Sequence, residues 1–104
     1  MYRVSVLYGT PENTAEFDSY YENIHIPIAR KMKGLVRWTL TKPDRQQGEF
    51  ENVYLVADLY AETKEQFDDI LASPEGQAAA ADVAKFATGG ATFVYGEESE
   101  VSLV

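Results

Sequence analysis

Hydrophobic and polar residues alternate along this chain with two different periods, and the switches between them mark out its elements. Tyr2–Tyr8 (YRVSVLY) alternates with period two and is rich in aromatic and β-branched residues, which predicts a strand that Gly9-Thr10-Pro11 stops. Asn13 followed by Glu16 has the spacing of a capping box, and Phe17, Tyr21 and Ile24 then recur at helical spacing. Leu35–Lys42 and Val53–Tyr60 read as the next two strands, joined by the polar stretch Pro43–Asn52. Thr63 with Gln66 repeats the capping pattern ahead of a Phe67, Ile70, Leu71 stripe. Ser73-Pro74 restarts a helix, serine as N-cap and proline at the first helical position, with Ala79, Val83 and Phe86 on its inner face. Gly89-Gly90 ends it, and Ala91–Glu97 is the last strand.

The order β-α-β-β-α-β, with its second helix broken at Ser73, predicts an α+β fold of the ferredoxin-like kind. Two interleaved βαβ units give a four-stranded antiparallel sheet with the helices on one face. Residues 1–104 form one domain of that kind, without internal repeats or a low-complexity linker. In the third strand Val53, Leu55, Ala57 and Leu59 oppose Tyr54, Val56, Asp58 and Tyr60. In the second, Val36, Trp38 and Leu40 oppose Leu35, Arg37 and Thr39. Both faces read as largely apolar, whereas a sheet with one wet face shows a clean polar side. The helices can cover only one face, so a second copy of the chain is expected on the other, as a homodimer.

Charge narrows the partners. Seventeen acids against nine bases give a net charge of −8, which repels phosphate backbones and anionic headgroups. Nucleic acid and membrane surfaces are therefore not expected partners. Six of the nine bases (Arg30, Lys31, Lys33, Arg37, Lys42, Arg45) lie between 30 and 45, while Glu97, Glu98 and Glu100 crowd the C-terminus. These are either two solvated surfaces or a basic rim that attracts a carboxylate or phenolate ligand or a partner subunit's acidic tail. No cysteine is present, which removes disulfides, thiolate ligands and cysteine nucleophiles. With no signal-peptide or membrane-spanning pattern, a soluble cytoplasmic domain is expected.

The familiar cofactor and nucleophile patterns are absent. Lys85–Gly90 is a helix stop and loop, and neither a dinucleotide fingerprint nor a phosphate loop occurs. One histidine cannot make a multi-histidine metal site, and no carboxylate spacing suggests another kind. No nucleophile elbow is found. Neither cofactor nor metal is expected.

Tyr20-Tyr21-Glu22-Asn23-Ile24-His25-Ile26-Pro27 carries the candidate chemistry. Pro27 disfavours helical geometry at Ile26, so the first helix should break or kink just after His25. Helical periodicity sets Tyr21 about 40° and His25 about 80° round from Phe17, on the flank of the buried stripe. A histidine there can act as acid or base near neutrality, or it can pack on Tyr21 and cap a carbonyl freed by Pro27. Asp58, the one charge within its strand, is read either as paired with Arg37 or His25, or as a strand-end acid facing water. Trp38 and the tyrosines 21, 54, 60 and 95 either line an aromatic cleft or belong to core and dimer interface. His25 is thus the candidate catalytic residue, with Tyr21, Arg37, Trp38, Tyr54, Asp58 and Tyr60 as candidate substrate-binding residues.

Phe17-Asp18-Ser19-Tyr20-Tyr21-Glu22-Asn23-Ile24-His25-Ile26-Pro27-Ile28-Ala29, closing with Lys33-Gly34-Leu35, resembles the signature of the EthD family. Ser73–Gln77 and the ending Phe93-Val94-Tyr95-Gly96-Glu97 resemble that family's second half. The resemblance implies a dimeric α+β barrel, two ferredoxin-like sheets face to face, and a functional histidine at His25. Relatives in that superfamily include cofactor-free monooxygenases, polyketide cyclases, lactone isomerases and haem-degrading enzymes. Three functions from different classes follow. One is a cofactor-free enzyme of oxidoreductase, cyclase or isomerase type, acting on a small apolar, aromatic or polyketide-like compound through His25. Another is a module that binds such a ligand for a partner oxidase. The third is an interaction domain whose dimer interface is its function; in any such homodimer the tail Ser99–Val104 is expected to lie across the partner.

Overall fold

The computed structural model describes residues 1–104 as a four-stranded sheet with helices on one face. The strands are β1 (Tyr2–Gly9), β2 (Arg37–Thr41), β3 (Val53–Ala61) and β4 (Ala91–Glu97), ordered β2-β3-β1-β4 and all antiparallel. The helices are α1 (Thr14–Tyr20), α2 (Ile26–Ala29), α3 (Lys64–Ala72) and α4 (Pro74–Val83). This is the ferredoxin-like α+β arrangement that the element order predicts. None of the helices is long and apolar enough to cross a membrane.

Three of the four helix starts, those of α1, α3 and α4, carry the cap their sequence announces. Asn13 accepts from the Glu16 N–H, Thr63 from Gln66 and Ser73 from Gly76, satisfying backbone donors that lack helical partners. Gly76 is required where α4 turns back over α3, because a Cβ there would lie 2.0 Å from the Ile70 carbonyl oxygen. Helix α4 ends at Val83, so Phe86 sits in the turn beyond it, 5% exposed and fully part of the core.

The first helix does not break at Pro27. Residues Tyr21–His25 form a π-helical turn between α1 and α2, and Ile26 keeps helical angles (φ −57°, ψ −48°). Its N–H reaches the Tyr21 carbonyl, five residues back. Proline lacks an N–H and its ring clashes with the carbonyl four residues earlier; widening the turn moves that carbonyl aside and lets the helix continue. His25 is therefore enclosed within a continuous helix rather than exposed at its end.

The core fills the space between helices and sheet, centred on Val4, Val6, Tyr8, Phe17, Leu55 and Phe67. The other sheet face is more polar than the strand patterns suggest. Leu7, Val56 and Val94 share it with Arg3, Ser5, Asp58 and several threonines. Tyr54 leaves that face. A bulge where Tyr8 pairs Leu55 but Gly9 pairs Val53 re-aims its ring onto Phe17, 5.2 Å between centroids, and its hydroxyl donates to Asp18.

Candidate functional site

A cavity of about 90 Å³ lies between the helices and the inner face of the sheet. Strand residues such as Val4, Val6 and Leu59 form its floor and Ala79 and Val83 of α4 part of its roof. Apart from His25 and Gly76 every lining residue is hydrophobic, and no carboxylate, lysine or arginine reaches it. His25 is its one titrating group near neutral pH.

His25 is 5% exposed and is held on two sides. Its ring packs against Tyr21 and Phe86, at centroid distances of 5.1 and 4.7 Å. Its Nδ1 lies 3.0 Å from Oδ2 of Asp82, itself 3% exposed, and the Tyr20 hydroxyl donates to the other Asp82 oxygen at 2.7 Å. Burial pushes the Asp82 carboxyl up, but the hydrogen bonds from Tyr20 and His25 and the nearby Lys85 outweigh it and hold it below its ordinary range. Burial lowers the His25 pKa, and the attraction of Asp82 only partly offsets it. At neutral pH the imidazole is therefore neutral, with Nδ1–H donating to a carboxylate and Nε2 left as the basic nitrogen. A carboxylate holding one tautomer of a histidine is the arrangement general-base catalysis needs.

A second polar group belongs to a residue of the cavity wall. The Trp38 indole nitrogen is buried without a partner, the one buried side-chain nitrogen or oxygen in the chain of which this is true. It approaches the Tyr21 hydroxyl without reaching hydrogen-bond geometry. Burial pushes the Tyr21 phenol up to about 12 and raises Tyr8 further, so both keep their protons across the physiological range.

Among the sequence candidates, His25, Tyr21 and Trp38 meet at this cavity. The other four do not. Asp58 pairs neither with Arg37 nor with His25: it accepts a hydrogen bond from Ser5 and lies 3.9 Å from the Arg3 guanidinium, on the open face. The reason is register, since Ser5 is its direct partner across β1. Tyr60 is on that face too, donating to Glu98 at 3.0 Å with the Arg37 guanidinium 5.3 Å above its ring. Tyr54 is committed to Asp18 at the bulged end of β3. Tyr95 does line the cavity.

Asp82 and Tyr20 were not among the sequence candidates. The signal for Asp82 is faint but physical: it is the lone acid after the run Ala78–Ala81, three residues beyond buried Ala79, where the helix stripe calls for an apolar side chain.

Comparison with known proteins agrees with this architecture. A family model described as the EthD domain matches residues 10–90. An uncharacterized 11.0 kDa protein of Rhodococcus erythropolis, from the thcB-thcC intergenic region, is 41% identical over 101 residues, covering 97% of this chain and 98% of that one. The crystal structure of an EthD family protein from Bacillus halodurans superposes with a TM-score of 0.86 at 33% identity, over 95% of this chain and 99% of that one. SnoaB from Streptomyces nogalater, described as a cofactor-independent oxygenase, shares the fold (TM-score 0.56, 19% identity, 98% of this chain and 94% of that one).

Proposed function

Because this chain belongs to the EthD family, we propose that it is a cytoplasmic enzyme that works by proton transfer on a small apolar compound, using side chains alone. His25 is the general base. Its Nε2 removes a proton from a bound carbon or hydroxyl acid, and the imidazolium so formed is stabilised by Asp82 and later returns the proton. Asp82 and Tyr20 are positioning residues that fix the tautomer and the ring. Deprotonation of this kind can open an oxidation, a cyclisation or an isomerisation of an aromatic or polyketide-like molecule. The reading is carried by one observation: a neutral histidine, anchored through Nδ1 by a buried carboxylate, stands in an otherwise apolar cavity. The fold shared with a protein described as a cofactor-independent oxygenase supports the same class.

The test uses 2-indanone, an enolisable ketone, in deuterated buffer. Incorporation of deuterium beside the carbonyl is expected to be faster with the protein, and His25→Gln should abolish the gain, since an amide cannot take up a proton at neutral pH. Exchange no faster than in buffer, or unchanged in the variant, would overturn the base role.

We also propose that the open sheet face meets a second copy of the chain. Leu7, Val56 and Val94 give it an apolar centre, and Val101 and Leu103 of the exposed tail (77% and 96% exposed) offer further apolar surface. Light scattering should report a particle of twice 11.6 kDa at micromolar concentration. A natively folded monomer would sink this reading.

A further inference from the structure

The unpartnered indole of Trp38 identifies what the cavity takes. Leaving a buried donor without an acceptor costs folding free energy, and native structures rarely tolerate it without a reason. Here the donor belongs to a residue lining the cavity, and the one polar group near it, the Tyr21 hydroxyl, does not reach hydrogen-bond geometry with it. The Tyr21 hydroxyl stands beside it as a second donor that keeps its proton at neutral pH. Neither group carries charge, and the cavity wall contains no lysine or arginine. A carboxylate or phosphate would enter without a counter-ion and lose its hydration, so a charged ligand is disfavoured. A pure hydrocarbon would leave the indole N–H as it is.

We propose that Trp38 Nε1 and the Tyr21 hydroxyl together bind a single uncharged oxygen, a ketone or phenol oxygen on an otherwise apolar body, and that this oxygen marks the substrate class. The proposal rests on the proton-transfer reading above and deepens it. When His25 removes a neighbouring proton, the electron pair of the broken C–H or O–H bond moves toward that oxygen, and two neutral donors already in place receive the developing enolate or phenolate charge. The proton resides on Nε2 until it is returned, so no oxidant or other reactant is needed. Size adds a limit. At about 90 Å³ the cavity is smaller than the roughly 150 Å³ that admits benzene elsewhere. A ring therefore enters only as the walls yield, and Met32, unbranched and partly exposed, and Tyr95, 48% exposed, are the lining side chains placed to do so.

Trp38 is the only tryptophan, so the parent protein gives one indole N–H signal in a ¹H–¹⁵N spectrum. Three probes of one shape are titrated against it: 2-indanone, indane and indane-2-carboxylate. The ketone should shift the indole N–H downfield and bind about tenfold more tightly than indane, the scale of one buried hydrogen bond gained. The carboxylate should bind more weakly than either. Trp38→Phe, which keeps a ring and removes the donor, should equalise ketone and hydrocarbon. Equal affinities in the parent, an unmoved indole signal, no binding of either neutral probe, or a preference that survives Trp38→Phe would each overturn the assignment. The two readings fail separately. Ketone preference without deuterium exchange would sink the base role of His25 and leave Trp38 standing, and exchange without ketone preference would do the reverse.

Discussion

The helix-side cavity and the open sheet face are built from alternate residues of the same strands, yet they handle titratable groups in opposite ways. On the inner side His25 and Asp82 are almost wholly buried, and each is held by a small number of well-placed partners. On the outer side Arg3 reaches both Asp58 and Glu98, with side chains 17% to 40% exposed. In the single chain water and salt reach the outer network, so its pairs contribute little individually there. The inner pair sits where a lost partner is not replaced by water. Ion pairs thus form an open network on the face offered to a second copy and a poised base beneath the helices, and much of the difference lies in burial.

The largest effect expected from breaking this contrast is on chemistry. His25→Ala should lower proton-exchange turnover by roughly 10²–10⁴-fold, followed by deuterium incorporation into 2-indanone. Asp82→Ala comes next. It leaves the buried His25 and Tyr20 without their acceptor and should cost about 2 kcal/mol, roughly a 10 °C fall in melting temperature; a melt within 2 °C or so of the parent would mean that the dyad is not structurally coupled. Acid should separate the two faces more gently. His25 titrates below its ordinary 6.5 and Asp82 below its ordinary 3.8, so as pH falls the unfolded chain takes up these protons first. Stability should be full above about pH 6.5 and decline as pH drops through the folded-state pKa of His25 and then that of Asp82, and Asp82→Ala should remove the lower part of that decline. The smallest effect belongs to the outer face: Arg3→Ala should change the monomer's stability by less than about 1 kcal/mol, read by denaturant unfolding.

Sequence patterns carried the fold well because caps and alternation are local. Asn13, Thr63 and Ser73 each act within three residues of their own position, and nothing distant overrules them. The site was legible only in part. His25, Tyr21 and Trp38 could be picked out by residue type, but Asp82 is 57 residues from His25 and joins it only through the packing of α4 on the first helix. Asp58 looked like the more chemical acid because it interrupts an apolar strand, yet strand alternation sends it outward to Ser5. Tyr54 departs from the strand pattern for a related reason: a bulge shifts the period by one residue, and no period-two count reveals a bulge. The break or kink expected just after His25 treats proline as an interruption, where the backbone instead widens its turn.

That widened turn has a consequence for inheritance. A π-helical turn is an α-helix carrying one surplus residue, so the site depends on chain length between Tyr21 and Pro27 as well as on the letters found there. Deleting Asn23 would remove no group that touches the cavity, yet it would close the wide turn into ordinary α-helix and set a carbonyl back against the Pro27 ring. The helix would have to kink there, and the imidazole would lose its seat between Tyr21 and Asp82. A homologue could keep tyrosine, histidine, aspartate and tryptophan through long divergence and still lose the function by a single in-frame codon loss.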